Sequence, residues 1–408
     1  MLFNLSIKYY LILGLLLLSI YARTIFPLAG QVTSGILIFG LFIFVFILLI
    51  ELNIDNLLSF QLKRSNKLLQ FLFLAAIISF CYSYIHNIKY NLDIFSIAKT
   101  LSYFVVTFSF LFILAKKMFN DENFFEFILS FLLVLGIISS LLSLVMLIIG
   151  YHPIPAYSVT TTGLFAHPNT TSFLYTIVTP ILIYKYFSKK ISLEIFGLIL
   201  ILFIICLLFT YSRAGYMGVF LGMLVFTYNK SKKIFISTAI ILLIVILSFF
   251  IEFAMAKSGS SIGRALLIIT AIDMITADQS SFLWGYGVYN FVDVFQTEKI
   301  FFGSVENVVD PHNLILLLGI QFGMLFTISI IFIIAIVIIK NFWKLQKENE
   351  LKKKNRINLC LAVTMGLLLQ NMLEDLIFYP EYFVMPIFLM FFGYLYYNLV
   401  PPTIHAKD

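Results

Sequence analysis

Charge is scarce in this 408-residue chain: Asp, Glu, Lys and Arg together make up 12% of it, against 61% hydrophobic residues. A soluble domain carries about 25% charged residues, so a water-soluble fold is excluded. The mean hydropathy of +1.03 places the chain in a membrane. Cysteine is also rare. Cys81, Cys206 and Cys360 each lie in an apolar run with no CxxC spacing, which excludes a disulfide scaffold and a thiolate metal site and predicts buried, inert thiols. There is no HExxH, no DxD-type cluster and no Cys/His ligand spacing, so no metal site is expected and cofactors are expected to be none. Lys8 precedes the first apolar run without a small-residue cleavage site after it, which predicts a retained first helix. No internal repeat is visible. The net charge of +7 sits in short loops between apolar runs, a sign of topology rather than of nucleic-acid binding.

What is present is a series of apolar runs. At roughly 20 residues per span they predict about twelve transmembrane helices, near 7–22, 33–50, 68–85, 97–115, 124–149, 170–187, 191–209, 212–228, 233–252, 312–339, 358–377 and 381–399. One set of intervening loops holds 20 of the Lys and Arg residues and the other set holds 7. The positive-inside rule puts the first set, with both termini, in the cytoplasm. The expected fold is therefore an all-α polytopic membrane protein, a single integral domain over 1–408. One large extracytoplasmic loop, 253–311, lies between helices 9 and 10. Within that loop, Gly263 to Ile275 has apolar residues at helical spacing and predicts an interfacial amphipathic helix. The basic run from Lys344 to Arg356 reads as a cytoplasmic stop-transfer loop or as a site for anionic lipid.

All the residues able to do chemistry fall at the outer face. Asp310-Pro311-His312-Asn313 precedes a long apolar run. Asp as N-cap and Pro at the first helical position predict a helix start with His312 in its first turn. There the helix dipole disfavours imidazolium and leaves a neutral base for a hydroxyl; the alternative is an interfacial histidine bonded to loop backbone. Arg213 follows Ser212 in Thr210-Tyr211-Ser212-Arg213-Ala214-Gly215 and offers a planar fork to phosphate; the alternative is a snorkelling anchor. Arg264, in Gly263-Arg264, is either a second phosphate clamp or a solvated surface residue. Tyr286, in Trp284-Gly285-Tyr286-Gly287, is either a sugar-stacking ring or part of a tight interfacial turn. His167 and Asn169, in Gly163 to Ser172, either line the same cavity or merely cap a helix. Lys99 lies one turn into its span and adds charge on that face. Glu374 and Asp375, at the outer end of a helix, either orient a base or cation or are simply solvated.

Together these elements resemble the O-antigen ligase and Wzy-type repeat-unit polymerase family. The residues that carry the resemblance are Gly163-x-Phe165-x-His167-Pro168-Asn169, Thr210-x-Ser212-Arg213-x-Gly215, Gly263-Arg264, Gly285-x-Gly287 with Phe291, and Pro311-His312-Asn313 with Gly319 and Gly323. The tryptophan usual soon after the Gly-Arg pair is absent; Leu266 to Ile269 stand there. The resemblance implies a GT-C-like, metal-independent, inverting glycosyltransferase in the bacterial cytoplasmic (inner) membrane, with its site on the extracytoplasmic face. Its donor would be a glycan on undecaprenyl pyrophosphate. Arg213 and Arg264 would hold the pyrophosphate and His312 would activate the acceptor. Ser212, Asn313, His167, Asn169, Tyr286 and Lys99 would contribute to substrate binding. A chain-length-regulating co-polymerase is the partner that the family implies, beside the lipid bilayer. Polymerisation of O-antigen or capsule repeat units is the favoured activity and ligation to lipid A core the alternative. A lipid-linked glycan flippase is the rival class, disfavoured because the charges cluster at one face rather than at the bilayer midplane.

Overall fold

Helix starts in this chain are written by short polar caps, and the apolar runs between them set the lengths. The computed structural model describes residues 67–88, 103, 106–150, 160–165, 167–228, 235–237, 239–240, 258–287, 290–298, 311–374 and 383–399. Among the described residues there are helices and no strand. In order they are α1 (Lys67–Ile88), a π-helical stretch Phe108–Leu114 running into α2 (Ala115–Asn120), α3 (Glu122–Ile149), α4 (Pro168–Phe187), α5 (Leu193–Thr210) and α6 (Arg213–Tyr228). Then come α7 (Ser258–Thr276), α8 (Gln279–Trp284), α9 (Asn290–Glu298), α10 (Leu314–Lys347), α11 (Leu351–Asn371) and α12 (Val384–Leu399). Of these, α3, α5 and α10 are long and apolar enough to cross a membrane. The chain is a helical, polytopic membrane protein. The expected spans at 7–22 and 33–50, most of 233–252, and Lys99 lie outside the described residues.

The caps are specific. Asp121 accepts from the Phe124 N–H at 3.1 Å and opens α3. Ser192 accepts from the Ile195 N–H and opens α5. Pro168 begins α4, where its missing N–H costs nothing. Pro180 inside α4 does not end that helix, which is buried along nearly its whole length. The stretch read from sequence as the large outer loop holds α7, α8 and α9. Helix α7 packs Leu267, Ala271, Met274 and Ile275 against Phe291, Phe295, Leu317 and Ile320, but Ile268, Ile269 and Ile272 stand exposed on its other side, so it is apolar on both faces rather than amphipathic as expected. Cys206 and Cys360 are buried as expected, but Cys81 is exposed. It stands on the same outward apolar stripe of α1 as Leu74, Ile77 and Ile78, a face that hides a thiol from water only if lipid or chain covers it.

Helices α4, α6 and α11 form the inner unit. Glycines bring α6 and α11 together: a β-carbon at Gly366 would lie 2.8 Å from the Gly218 carbonyl oxygen, and one at Gly222 3.2 Å from that of Ala362. At one end of this unit lie the cations of the lysine-rich loops. Glu126 on α3 binds Lys185 at 2.8 Å and Lys190 at 2.6 Å, and Glu122 binds Arg356 at 2.6 Å and also Lys352. The starts of α4, α6 and α10 and the end of α11 meet at the opposite end. The motif residues and the lysine-rich loops are thus segregated to opposite ends of the bundle, the separation that the charge census requires.

Candidate active site

Four chain segments converge there, and a carboxylate lies where they meet. Glu374 follows the last turn of α11 and is 5% exposed. Its Oε1 accepts from Asn169 Nδ2 at 2.8 Å and from Arg264 Nη2 at 2.8 Å. Its Oε2 lies 3.7 Å from His312 Nδ1. Three residues from three separate sequence motifs are therefore gathered by one side chain. A buried carboxylate is tolerated only when paired and hydrogen-bonded, and Glu374 is both. Arg264 also donates to the Leu373 carbonyl at 3.3 Å, and Asn313 Nδ2 to that of Met372 at 2.9 Å. The end of α11 is thus held by groups from α7 and from the start of α10.

His312 is not where the Asp-Pro signature put it. Helix α10 begins at Leu314, and Asn313 is its N-cap, its Oδ1 accepting from the Ile315 and Leu316 N–H groups. Asparagine is as strong an N-cap as aspartate, so Pro311 precedes the helix rather than opening it. His312 stands outside the helix with a left-handed backbone, φ 49°. The first-turn dipole argument for a neutral imidazole therefore does not apply. A non-glycine residue at such φ costs about 1–2 kcal/mol and is a mark of functional sites.

Arg213 is the first residue of α6, behind an N-cap in which Ser212 Oγ accepts from the Gly215 N–H at 3.2 Å. The charges of Arg264 and Glu374 both act on its guanidinium. Two arginines and one carboxylate leave the cluster net positive, suited to an anion. His167 is the N-cap of α4: its Nδ1 accepts from the Asn169 N–H at 3.2 Å. It therefore shapes the turn that delivers Asn169 to Glu374. Tyr286 lies elsewhere, among the packing of α7 and α10. Its hydroxyl donates to the Met274 carbonyl at 3.1 Å. The kink of α10 at Gly323 (φ 80°) frees two carbonyls, and the Tyr286 and Gly287 N–H groups take them, bonding Ile320 O at 2.6 Å and Gln321 O at 2.9 Å. Gly285 is required at this contact, since its β-carbon would lie 2.6 Å from Gly323 N. The two-glycine motif is thus a backbone splice onto a kinked helix.

Among the described residues no group of three or more His, Cys, Asp or Glu is arranged to hold a metal ion. The residues brought together are Arg213, Arg264, His312, Asn313, Asn169 and Ser212, on the frame of Glu374. Residues 198–331 match the O-antigen ligase family. The match begins within α5 and ends within α10, about a third of the chain, and it takes in Arg213, Arg264, Tyr286, His312 and Asn313. It bears out the resemblance read from the motifs. No curated protein matches the chain. Glu374 and Asn169 lie outside the matched residues, and the fold brings them against that segment. The sequence leaves the role of Glu374 open and places Ser172 only at the end of the Gly163–Ser172 motif, while nothing in it marks Gln370.

Proposed function

We propose that this protein is a polymerase of lipid-linked polysaccharide repeat units, a metal-independent inverting glycosyltransferase of the bacterial inner membrane. The observation that carries this reading is the gathering of Asn169, Arg264 and His312 on Glu374, with Arg213 in electrostatic range. The donor is a glycan on undecaprenyl pyrophosphate, presented at the outer face, where the cluster faces away from the lysine-rich end. Arg213 and Arg264 bind the pyrophosphate and stabilise its charge as the bond to the anomeric carbon breaks. With Nδ1 turned to Glu374, the His312 imidazole takes the proton of the acceptor hydroxyl through Nε2 as that oxygen attacks the anomeric carbon from the opposite side. Inversion follows from the single displacement. Glu374 orients Arg264 and supports the imidazolium that forms. Asn313 caps α10 and holds the end of α11, a positioning rather than a contacting role.

One observation favours a second reading: the matching family is described as O-antigen ligase. Ligation to lipid A core uses the same donor chemistry with a different acceptor. The deciding experiment supplies purified protein with undecaprenyl-pyrophosphate-linked repeat units. A ladder of products that vanishes in His312→Ala supports the polymerase. Transfer only when lipid A core is added assigns a ligase. No transfer to either acceptor from the native repeat unit overturns both and favours a transporter.

A further inference from the structure

Behind the charged cluster runs a second, uncharged layer of hydrogen bonds that the proposed chemistry does not use. Its junction is Ser172 on α4. The Ser172 hydroxyl donates to the Asn169 carbonyl at 2.7 Å, lies 3.0 Å from the Ser212 hydroxyl, and accepts from Gln370 Nε2 at 2.7 Å. The amide oxygen of Gln370 accepts from Thr176 Oγ1 at 2.6 Å. Ser172, Thr176 and Gln370 are fully buried and Ser212 is 2% exposed. One hydroxyl has one proton and two lone pairs. With the Ser172 proton on Asn169 O, its two lone pairs take the Ser212 O–H and the Gln370 N–H, so its bonding capacity is filled. Buried polar groups of this kind are costly unless every member is satisfied, and a satisfied network fixes one geometry.

The neighbouring glycines exist for this layer. A β-carbon on Gly215 would lie 2.4 Å from Ser172 Cβ, and one on Gly218 would lie 2.9 Å from Thr176 Oγ1 and 3.0 Å from Gln370 Oε1. The bonds also close a ring. Gln370 precedes Glu374 by one turn of α11, Glu374 binds Asn169, Asn169 binds Ser172, and Ser172 binds Gln370. Ser212, next to Arg213, hangs from the same junction.

We propose that Ser172 and Gln370 are a positioning pair that sets the spacing between Arg213 and the Arg264–Glu374–His312 cluster to the span of one pyrophosphate. The proposal rests on the reading that both arginines hold the donor's pyrophosphate. Its signature is the discrimination between an anion that bridges two cations and one that meets a single cation. The experiment measures inhibition of glycan transfer by inorganic pyrophosphate and by inorganic phosphate in the wild type, Gln370→Leu, Ser172→Ala and the double variant. The expected result is that the preference for pyrophosphate over phosphate falls about tenfold in each single variant, the loss of one charge-assisted contact, while phosphate inhibition is unchanged. The double variant loses no more than the worse single, because both act at one junction. Equal weakening of both anions overturns the proposal, as does an unchanged preference in the variants. Ser172→Ala removes a single oxygen and carries the test if Gln370→Leu does not fold. A wild type with no pyrophosphate preference, or one that survives Arg213→Ala, refutes the donor-binding reading itself, whatever the positioning variants do.

Discussion

Replacing Glu374 with glutamine isolates charge from shape at the centre of the site. Glutamine keeps one oxygen for Asn169 and Arg264 and removes the negative charge that faces Arg264 and His312. A hydrogen bond to a charged group is worth about 1.5–3 kcal/mol and a neutral one about 0.5–1.5. Arg264 stays charged and keeps its bond to the glutamine oxygen but loses its ion-pair partner, worth about 1 kcal/mol for a side chain 34% exposed. The His312 pairing adds about as much again in the transition state, when the imidazole carries the acceptor's proton. A total of about 2 kcal/mol is a loss of about 30-fold in kcat. The donor's KM moves the other way or not at all, because a more positive pocket holds a pyrophosphate at least as well. The assay is transfer from a lipid-linked repeat unit at varied donor concentration. Wild-type kcat in Glu374→Gln, or a loss confined to KM, refutes the reasoning.

Other substitutions test the frame. Gly285→Ala puts a methyl group against the Gly323 backbone at a positive φ, and we expect a destabilisation of more than about 3 kcal/mol, seen as a collapse of the folded yield and of the unfolding midpoint in detergent. His312→Gly and His312→Ala both abolish transfer, but the glycine variant is the more stable by about 1 kcal/mol, because alanine keeps the left-handed strain; thermal unfolding ranks them. At Asp121, burial pushes the carboxyl up, but the Phe124 N–H and Lys117 outweigh it and hold the group below its ordinary value. A depressed folded value means stability that is present at neutral pH and lost as pH falls below about 4. Asp121→Ala therefore costs about 1 kcal/mol at pH 7 and little at pH 3, read from hydrogen exchange in the first turn of α3.

Hydropathy and loop charge made the helices legible. The expected spans at 68–85, 124–149, 170–187, 191–209, 212–228 and 381–399 coincide with α1, α3, α4, α5, α6 and α12 to within a few residues, since apolar length and capping are local properties. The helices that hold the expected spans 312–339 and 358–377 run further at their lysine-rich ends. Helix α10 continues to Lys347 and α11 starts at Leu351, because lysine-rich turns are good helix formers although they are poor membrane spans. The site was legible where a residue type alone signals chemistry, as at Arg213, Arg264 and His312. It was not legible where pairing decides. A carboxylate at the end of an apolar helix reads the same whether it meets water or Asn169 and Arg264. At Tyr286 the sequence left a stacking ring and a tight turn both open, and the fold shows the turn, with the Tyr286 and Gly287 N–H groups bonded to carbonyls at the kink of α10. The helix start at Asn313 depended on a choice between two equally good caps, which tertiary contacts with Met372 settle.

Helix α5 is short. Its 18 residues rise about 27 Å, slightly less than a typical hydrocarbon thickness of about 30 Å, and it ends in the left-handed turn at Tyr211 that hands the chain to Arg213. Helix α10 is broken at Gly323, and beyond the break its segment 324–347 rises about 36 Å, longer than that thickness. Helix α6, with 16 residues, rises only about 24 Å, so both helices that meet at the turn before Arg213 are short. Thicker bilayers draw that guanidinium toward the acyl chains and thinner ones release it into the headgroups. Bilayer thickness is thereby expected to set the solvation of one cation, so that acyl-chain length would act on Arg213 without any change of sequence.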